Sequence, residues 1–528
     1  DIGVTGVQTC ALPISSRQRY GDDSGTVKLD PYTVSADRDL NAQTVATNEQ
    51  RYASNIKNVL STDEFGSMVA NSVGDFMKFM PGIAVDYSGN EITGFSVRGI
   101  GGAMTNFSQD GSPMVFGSYV RSTRIFNPYT SDINSAAQIE VTKVPTPATP
   151  ADSIGGSINM VTKSAFDYDR PVGNFNLGLN ANSRYLRTLR ASAAWGDKMN
   201  YKYQPFASVD YRVPVSKTLG FFVSALYSPR AGNNENYRTA YTNSGTGTGA
   251  SISAPYLQQV LELDDPRIYT KKNIALKADW KPAPRSVVTA NFSFGQNRTL
   301  IGDGVRQITI GAVGTPTIAT GRSLSYGDTF TNGATGRGNV QLQHLFQRFG
   351  GGTRAGGVSY RFDDGIWNIN AQLSGSQSWM QKDNPGGPFT NIIAQTVPPL
   401  RINLSGAGYG RRPDTVQAFD NTDRPIDIGD IANYSITAGQ DIFYKNTAEV
   451  GSADLKVKRR LQWFSFPTSL EIGGNYAKKH YVNRGWVKNL TYNGPDGNPA
   501  TVDPIPASFL MQVYQNQSSF AGGAKTPF

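Results

Sequence analysis

Paired carboxylates are common tools of acid–base chemistry, and the chain has three adjacent pairs: Asp22-Asp23, Asp264-Asp265 and Asp363-Asp364. Each falls in a stretch that reads as loop or turn, so solvated turn residues are the simpler reading. Gly245-Thr246-Gly247-Thr248-Gly249 is too weakly tied to a following helix to cradle phosphate. There is one cysteine, Cys10, and there are two histidines, His344 and His480. An internal disulfide is therefore impossible, and a Cys/His metal site or direct coordination of a bare metal ion is disfavoured. No G-x-S-x-G, P-loop, H-E-x-x-H or EF-hand pattern occurs, so no catalytic residue, no metal ligand and no cofactor is assigned, and the chain is not expected to be an enzyme. Arg98, between Val97 and Gly99, would need a partner if buried, with Glu140 the candidate; the alternative is a hydrated turn arginine. Asp110-Gly111 is first a turn signal, and Gly155-Gly156 permits a tight turn or a close backbone approach.

The elements that position these residues change character along the chain. Its 528 residues include 56 glycines, 25 tyrosines and 26 phenylalanines, and only 17% are charged. That composition excludes coiled coils and charged disordered chains, and favours an all-β protein. No apolar run is long enough for a membrane-spanning helix. The net charge is +9, but the basic residues are scattered, with only short groups such as Lys456-Val457-Lys458-Arg459-Arg460. Nucleic acid is not an expected partner.

Residues 1–14 resemble the translation of a sequencing adapter and are set apart from the fold. Residues 15–37 read as a flexible polar segment holding one extended piece around Leu29-Asp30-Pro31-Tyr32-Thr33-Val34. Residues 38–166 read as a compact α/β unit. Val69, Val73, Phe76, Met77 and Met80 predict a helix over 66–80 with one buried stripe, stopped by Pro81-Gly82. A strand at 83–85 and a turn at Ser88-Gly89-Asn90 follow.

From 167 onward the apolar period is two. Phe175, Leu177 and Leu179 alternate with Asn174, Asn176 and Gly178, and Trp367, Ile369, Ala371 and Leu373 with Asn368, Asn370 and Gln372. Strands are expected near 171–182, 203–213, 218–228, 272–282, 286–296, 353–363, 366–378, 444–457 and 467–481. The segments are about ten residues long, the length of a tilted transmembrane strand, and one face is small and polar, as a wet lumen would be. Short turns alternate with long connections at 229–271, 297–352 and 379–443. That parity matches outer-membrane barrels. A strand at 186–195 would break it. The fold class is thus mainly β: a transmembrane antiparallel barrel preceded by an N-terminal α/β domain. Tyr237, Tyr241, Tyr256, Tyr326, Tyr409 and Trp379, placed in the long connections, suit stacking on a sugar or contact with a metal chelate.

One family carries the pre-barrel motifs in this order. Thr33-Val34-Ser35-Ala36 is followed by Phe79-Met80-Pro81-Gly82-Ile83 and Phe95-Ser96-Val97-Arg98-Gly99-Ile100. Then come Gln109-Asp110-Gly111, Gln138-Ile139-Glu140-Val141-Thr142-Lys143 and the run from Ser153 through Gly155, Gly156 and Asn159 to Lys163. The series resembles the plug of a TonB-dependent outer-membrane receptor. The resemblance implies a receptor in the cell outer membrane, surrounded by its lipid, with the α/β domain in the barrel lumen, importing a small-molecule or oligosaccharide ligand such as a carbohydrate or a siderophore. It also implies that Leu29–Val34 is the box that pairs with a TonB-type energy-transducing protein in the periplasm, although Pro31 interrupts a pairing strand. The alternative is a secreted all-β glycan-binding or structural surface protein. Barrels plugged in this way have about 22 strands. With nine strands read, 167–528 is expected to be the N-terminal part of one, and Phe528, behind Pro527, is not read as a closing strand.

Overall fold

The computed structural model describes residues 42–505, apart from 54, 63–72, 89–90, 118–132, 147–148, 151–152, 184–202, 385–388, 409–410, 462, 464–465, 467 and 499–500. Leu29–Val34, the first half of the expected helix, the segment 186–195 and Tyr409 therefore lie outside the described residues.

The first domain begins with α1 (Ala42–Arg51), which the sequence reading missed. Strand β1 (Lys57–Ser61) follows, and then α2 (Val73–Met77). The described helix ends at Met77, before the expected Met80, because Phe79 and Met80 close i→i−3 turns onto Phe76 and Met77. The stripe is buried as its spacing requires: Val73, Phe76, Met77 and Met80 join the core beside Phe95, Phe107 and Ile139. Next come β2 (Ile83–Ser88), β3 (Glu91–Val97), β4 (Ile100–Gly101), β5 (Thr105–Gln109), β6 (Ser112–Pro113), β7 (Ala136–Thr142) and β8 (Gly156–Thr162). They form two sheets, β1-β7-β8-β5-β6 and β2-β3-β4, with β5 and β8 parallel.

The second region is one antiparallel meander. Its strands are β9 (Val172–Ala181), β10 (Tyr203–Pro214), β11 (Leu219–Thr242), β12 (Tyr256–Ala283) and β13 (Ser286–Thr309). After the short β14 (Ser325–Gly327) and β15 (Phe330–Asn332) come β16 (Asn339–Asp363), β17 (Trp367–Asp383) and β18 (Asn391–Thr396). Then β19 (Arg401–Ser405), β20 (Thr415–Phe419) and β21 (Pro425–Ile426) precede β22 (Tyr434–Leu461) and β23 (Thr468–Leu490). Strands β17 and β18 occupy the same lane, each pairing β16 on one side and β22 on the other. Among the described residues the lanes run in sequence order from β9 to β23.

Every expected strand is present, but most run far longer than about ten residues. Much of 229–271, 297–352 and 379–443, expected as connections, is strand. The ladders simply continue: Tyr237 pairs Glu262, and Glu262 pairs Arg306. Asp264-Asp265 is consequently in strand β12, not in a turn, and Asp265 is wholly buried against Arg267, whose Nε donates to its Oδ1 at 2.5 Å. The alternation of short and long connections survives, with short links at 215–218, 284–285 and 364–366 and long ones at 243–255, 310–338 and 384–433. The long connections have their own core and a small sheet, β14-β15-β19-β20-β21. Tyr256, fully buried there, packs its ring 5.1 Å from Tyr326. It is therefore not an open stacking surface, contrary to expectation. Tyr237 and Tyr241 lie in β11 and pack on the same core.

The sheet is inside-out. Phe175, Leu177, Leu179, Ile472 and Tyr476 each expose two thirds or more of their surface. Ile274, Leu276, Phe292 and Leu373 point the same way, while Asn273, Asp279, Ser376 and Ser378 on the other face are buried. Water penalises such a surface, and hydrocarbon does not.

Candidate functional site

The polar face of the sheet meets the first domain, and the contact is built around two hairpin turns. Asp110 (φ 49) and Gly111 (φ 79) link β5 to β6, with Gln109 opposite Ser112. Arg98 (φ 54) and Gly99 (φ 78) link β3 to β4, with Val97 opposite Ile100. Two successive positive φ values are what a two-residue hairpin with the strand's own twist needs, and Asp-Gly tolerates them well.

Asp110 is the hub. Its carboxylate accepts from the Thr162 backbone N–H at 2.8 Å and the Thr162 hydroxyl at 2.6 Å. It also accepts from Asn291 Nδ2 in β13 at 3.2 Å, and Lys277 Nζ in β12 lies 3.8 Å away. From β17, Gln372 Nε2 donates to the Asp110 carbonyl at 3.0 Å and to Ser112 Oγ at 2.8 Å. Neighbouring contacts extend the seam: Ser293 Oγ donates to Gln109 Oε1 at 3.2 Å, and the Gly117 N–H donates to Ser378 Oγ at 3.0 Å. Ser164 Oγ donates to Asp279 Oδ2 at 2.7 Å, and Lys277 Nζ to the Thr162 carbonyl at 3.2 Å. Small polar residues on the sheet thus hold the domain through many directional bonds, beside a small apolar contact of Val115 with Ala448 and Val450.

A second cluster lies behind this seam. Asn159 Oδ1 accepts from the Gly111 N–H at 2.9 Å and from Ser108 Oγ at 3.0 Å, and its Nδ2 donates to Glu140 Oε2 at 3.2 Å. Glu140 in turn meets Lys57 Nζ at 3.2 Å, and Lys57 meets Glu49 of α1 at 2.7 Å. Gln138 Nε2 donates to both carboxylates, at 2.6 and 3.2 Å. Burial pushes the Glu140 carboxyl up, and the hydrogen bond shared with Glu49 pushes it further. Burial acts the same way on Glu49, but hydrogen bonds with Glu140, Lys57 and Gln138 outweigh it and hold that carboxyl low.

Glu140 therefore pairs with Lys57. Arg98 is exposed, its side chain at the surface and its backbone N–H bonded to the Gly82 carbonyl at 2.8 Å. The expected buried Arg98–Glu140 pair does not form, because a positive-φ turn carries Arg98 away from the core. Pro81 and Gly82 (φ 79) are exposed in the same corner, where a Cβ on Gly82 would lie 3.2 Å from Lys143 Nζ. Lys143 ties its N–H to the Ile56 carbonyl at 2.8 Å. At Gly156 (φ 137) a Cβ would stand 2.7 Å from the Thr142 carbonyl, and at Gly155 one would stand 3.0 Å from Ile100 Cγ2. The sequence reading missed Glu49, Lys57, Thr162, Lys277, Asn291 and Gln372. Only the alternation of β12, β13 and β17, which puts the last three on the polar face, pointed to any of them.

The family model for the TonB-dependent Receptor Plug Domain matches residues 49–157, the span that contains both turns together with Glu49, Lys57 and Glu140. Residues 49–157 belong to the TonB-dependent receptor plug family. The plug packs on the polar face of a barrel-type sheet. Solved structures similar to the chain include the ferric citrate transporter FecA without ligand, at 11% identity over 84% of this chain and 79% of that one, with a TM-score of 0.26. A mutant ferric enterobactin receptor from Pseudomonas aeruginosa is similar at 10% identity over 83% and 73%, TM-score 0.34. The ferric yersiniabactin uptake receptor from Yersinia pestis is similar at 12% identity over 81% and 79%, TM-score 0.25. The plug match carries the assignment. No curated protein matches the sequence.

Proposed function

We propose that the receptor sits in the outer membrane and actively imports a scarce nutrient, a carbohydrate or a metal chelate such as a siderophore. The carrying observation is the seam itself. A plug held to the polar wall by Asp110, Gln372, Ser293 and Ser378 blocks that wall, and a passive pore has no use for such a blockage. Directional hydrogen bonds to small polar groups can be exchanged for water one at a time, so most of the plug's hold can be released without exposing apolar surface. The outward apolar face supports the membrane setting.

In this reading a TonB-type protein in the periplasm, driven by the inner-membrane proton-motive force, pairs with Leu29–Val34 as an added strand and pulls on the plug. Ligand is captured on the long-connection side. Deleting Leu29–Val34 tests the reading in cells. Energised uptake is lost while ligand binding at the cell surface persists. Uptake at the normal rate refutes it.

A further inference from the structure

From the row of the plug seam toward the long connections, the polar wall carries buried groups with no hydrogen-bond partner. Ser224 in β11, Asn273 in β12 and Asn297 in β13 are exposed by only 1%, 6% and 6%. Ser224 Oγ, both side-chain amide atoms of Asn273 and Asn297 Oδ1 make no hydrogen bond. Register places them together. Ser224 lies opposite Ala275, which lies opposite Ser293. Asn273 is opposite Leu226 and Gly295, and Asn297 is opposite Lys271. The three therefore lie on adjacent strands in three successive rows of the polar face, and the row of Ser224 is the row of Ser293, which already bonds plug residue Gln109.

Buried polar atoms are ordinarily satisfied, and three side chains left open in one patch mark a place that something polar fills. The open set has an amide donor, two carbonyl acceptors and a hydroxyl that does either. A partner that can both donate and accept at several points matches it, as a hydroxyl group does; a bare anion would leave the two acceptors open.

We propose that Ser224, Asn273 and Asn297 form an internal staging site for an uncharged, hydroxyl-rich solute. Water fills it at rest, and the solute waits there before the Gln109–Asp110 seam opens. The proposal rests on the import reading and narrows its ligand class. At this site the wall reads hydroxyl groups, and the solute exchanges water's hydrogen bonds for equivalent ones, so it is held without being trapped.

The test puts a single thiol at the site by Ser224→Cys in a Cys10→Ser background, in outer-membrane vesicles. A small neutral methanethiosulfonate reagent is applied alone, with maltotriose, and with citrate as an anionic control. The thiol is expected to react, maltotriose to slow the reaction by about tenfold, the rate effect of one to two lost hydrogen bonds, and citrate to leave it unchanged. Asn273→Leu with Asn297→Leu removes the protection while the heat-modifiable band shift of the barrel is kept. A thiol that never reacts, one that maltotriose leaves unprotected, or equal protection by citrate overturns the site. Protection that survives the leucine pair overturns it as well. The import reading is judged separately on the Leu29–Val34 deletion, so either can fail while the other stands.

Discussion

Replacing Asp110 by alanine removes a carboxylate that joins the plug's β8 to the wall. Two donors from Thr162 lose their acceptor at once, at 2.8 and 2.6 Å, together with Asn291 at 3.2 Å. Hydrogen bonds to a charged group contribute about 1.5–3 kcal/mol each, and the Thr162 pair is short and partly buried. Lys277 loses the carboxylate 3.8 Å away but still donates to the Thr162 carbonyl and hydroxyl at 3.2 and 3.0 Å. Alanine also takes the φ of 49 less readily than aspartate, adding about 1 kcal/mol. Water entering the part-buried seam restores part of this, leaving a net loss of about 3–5 kcal/mol of local stability, which is roughly two to four orders of magnitude in opening probability. Amide hydrogen exchange over residues 156–163 reads it directly: protection at Thr162 falls by about a hundredfold or more in Asp110→Ala. Asp110→Asn keeps the turn and one acceptor, so its loss is about 1–2 kcal/mol. Unchanged exchange at Thr162 in Asp110→Ala would refute the claim that this carboxylate fastens the plug.

Three further outcomes follow from the same geometry. Gly156→Ala forces a Cβ to 2.7 Å from the Thr142 carbonyl at φ 137, costing about 1–3 kcal/mol, and plug unfolding in urea shifts to lower concentration. Leu373→Arg, on the outward face, costs about 2–4 kcal/mol of barrel stability in lipid, read by loss of the heat-modifiable band, whereas the inward Ser374→Arg spares lipid contact. Glu140 sits above its ordinary 4.5 in the folded plug, so the stability carried by its proton is complete below pH 4.5 and lost as pH rises through the folded value. Glu49 is held below 4.5, so its contribution is present above 4.5 and lost as pH falls through the folded value. Glu140→Gln therefore abolishes the decline on raising the pH and leaves the acid-side loss, measured as plug stability in urea against pH; a persisting decline sinks the assignment.

What could be read from the sequence was what the chain repeats locally. Alternation in β9, β12 and β17 is a property of neighbouring residues, and it yielded both faces of the sheet before any contact was known. Strand ends were hidden, because the signal is supplied by lipid on one face. Beyond that zone the ladder continues through the run Asn233-Asn234-Glu235-Asn236, in which no apolar alternation marks the strand. Helix α1 was missed for a related reason: AQTVATNEQR has no apolar stripe, Ala46 alone being described as buried, and its hold on the plug is the polar reach of Glu49 to Lys57 and Gln138. Arg98 and Glu140 show the limit most sharply. Both are charged residues in strand-like surroundings, and only the sign of φ at Arg98 separates the one that leaves the core from the one that stays. The residue that stays is then forced to find a cation, and Lys57 supplies it from 83 positions earlier in the chain, with a distance of 3.2 Å that no spacing rule contains. Since Lys57 also holds Glu49, a continuous chain of contacts runs from α1 through Glu140 and Asn159 to the Gly111 N–H, at the turn that Asp110 fastens to the wall.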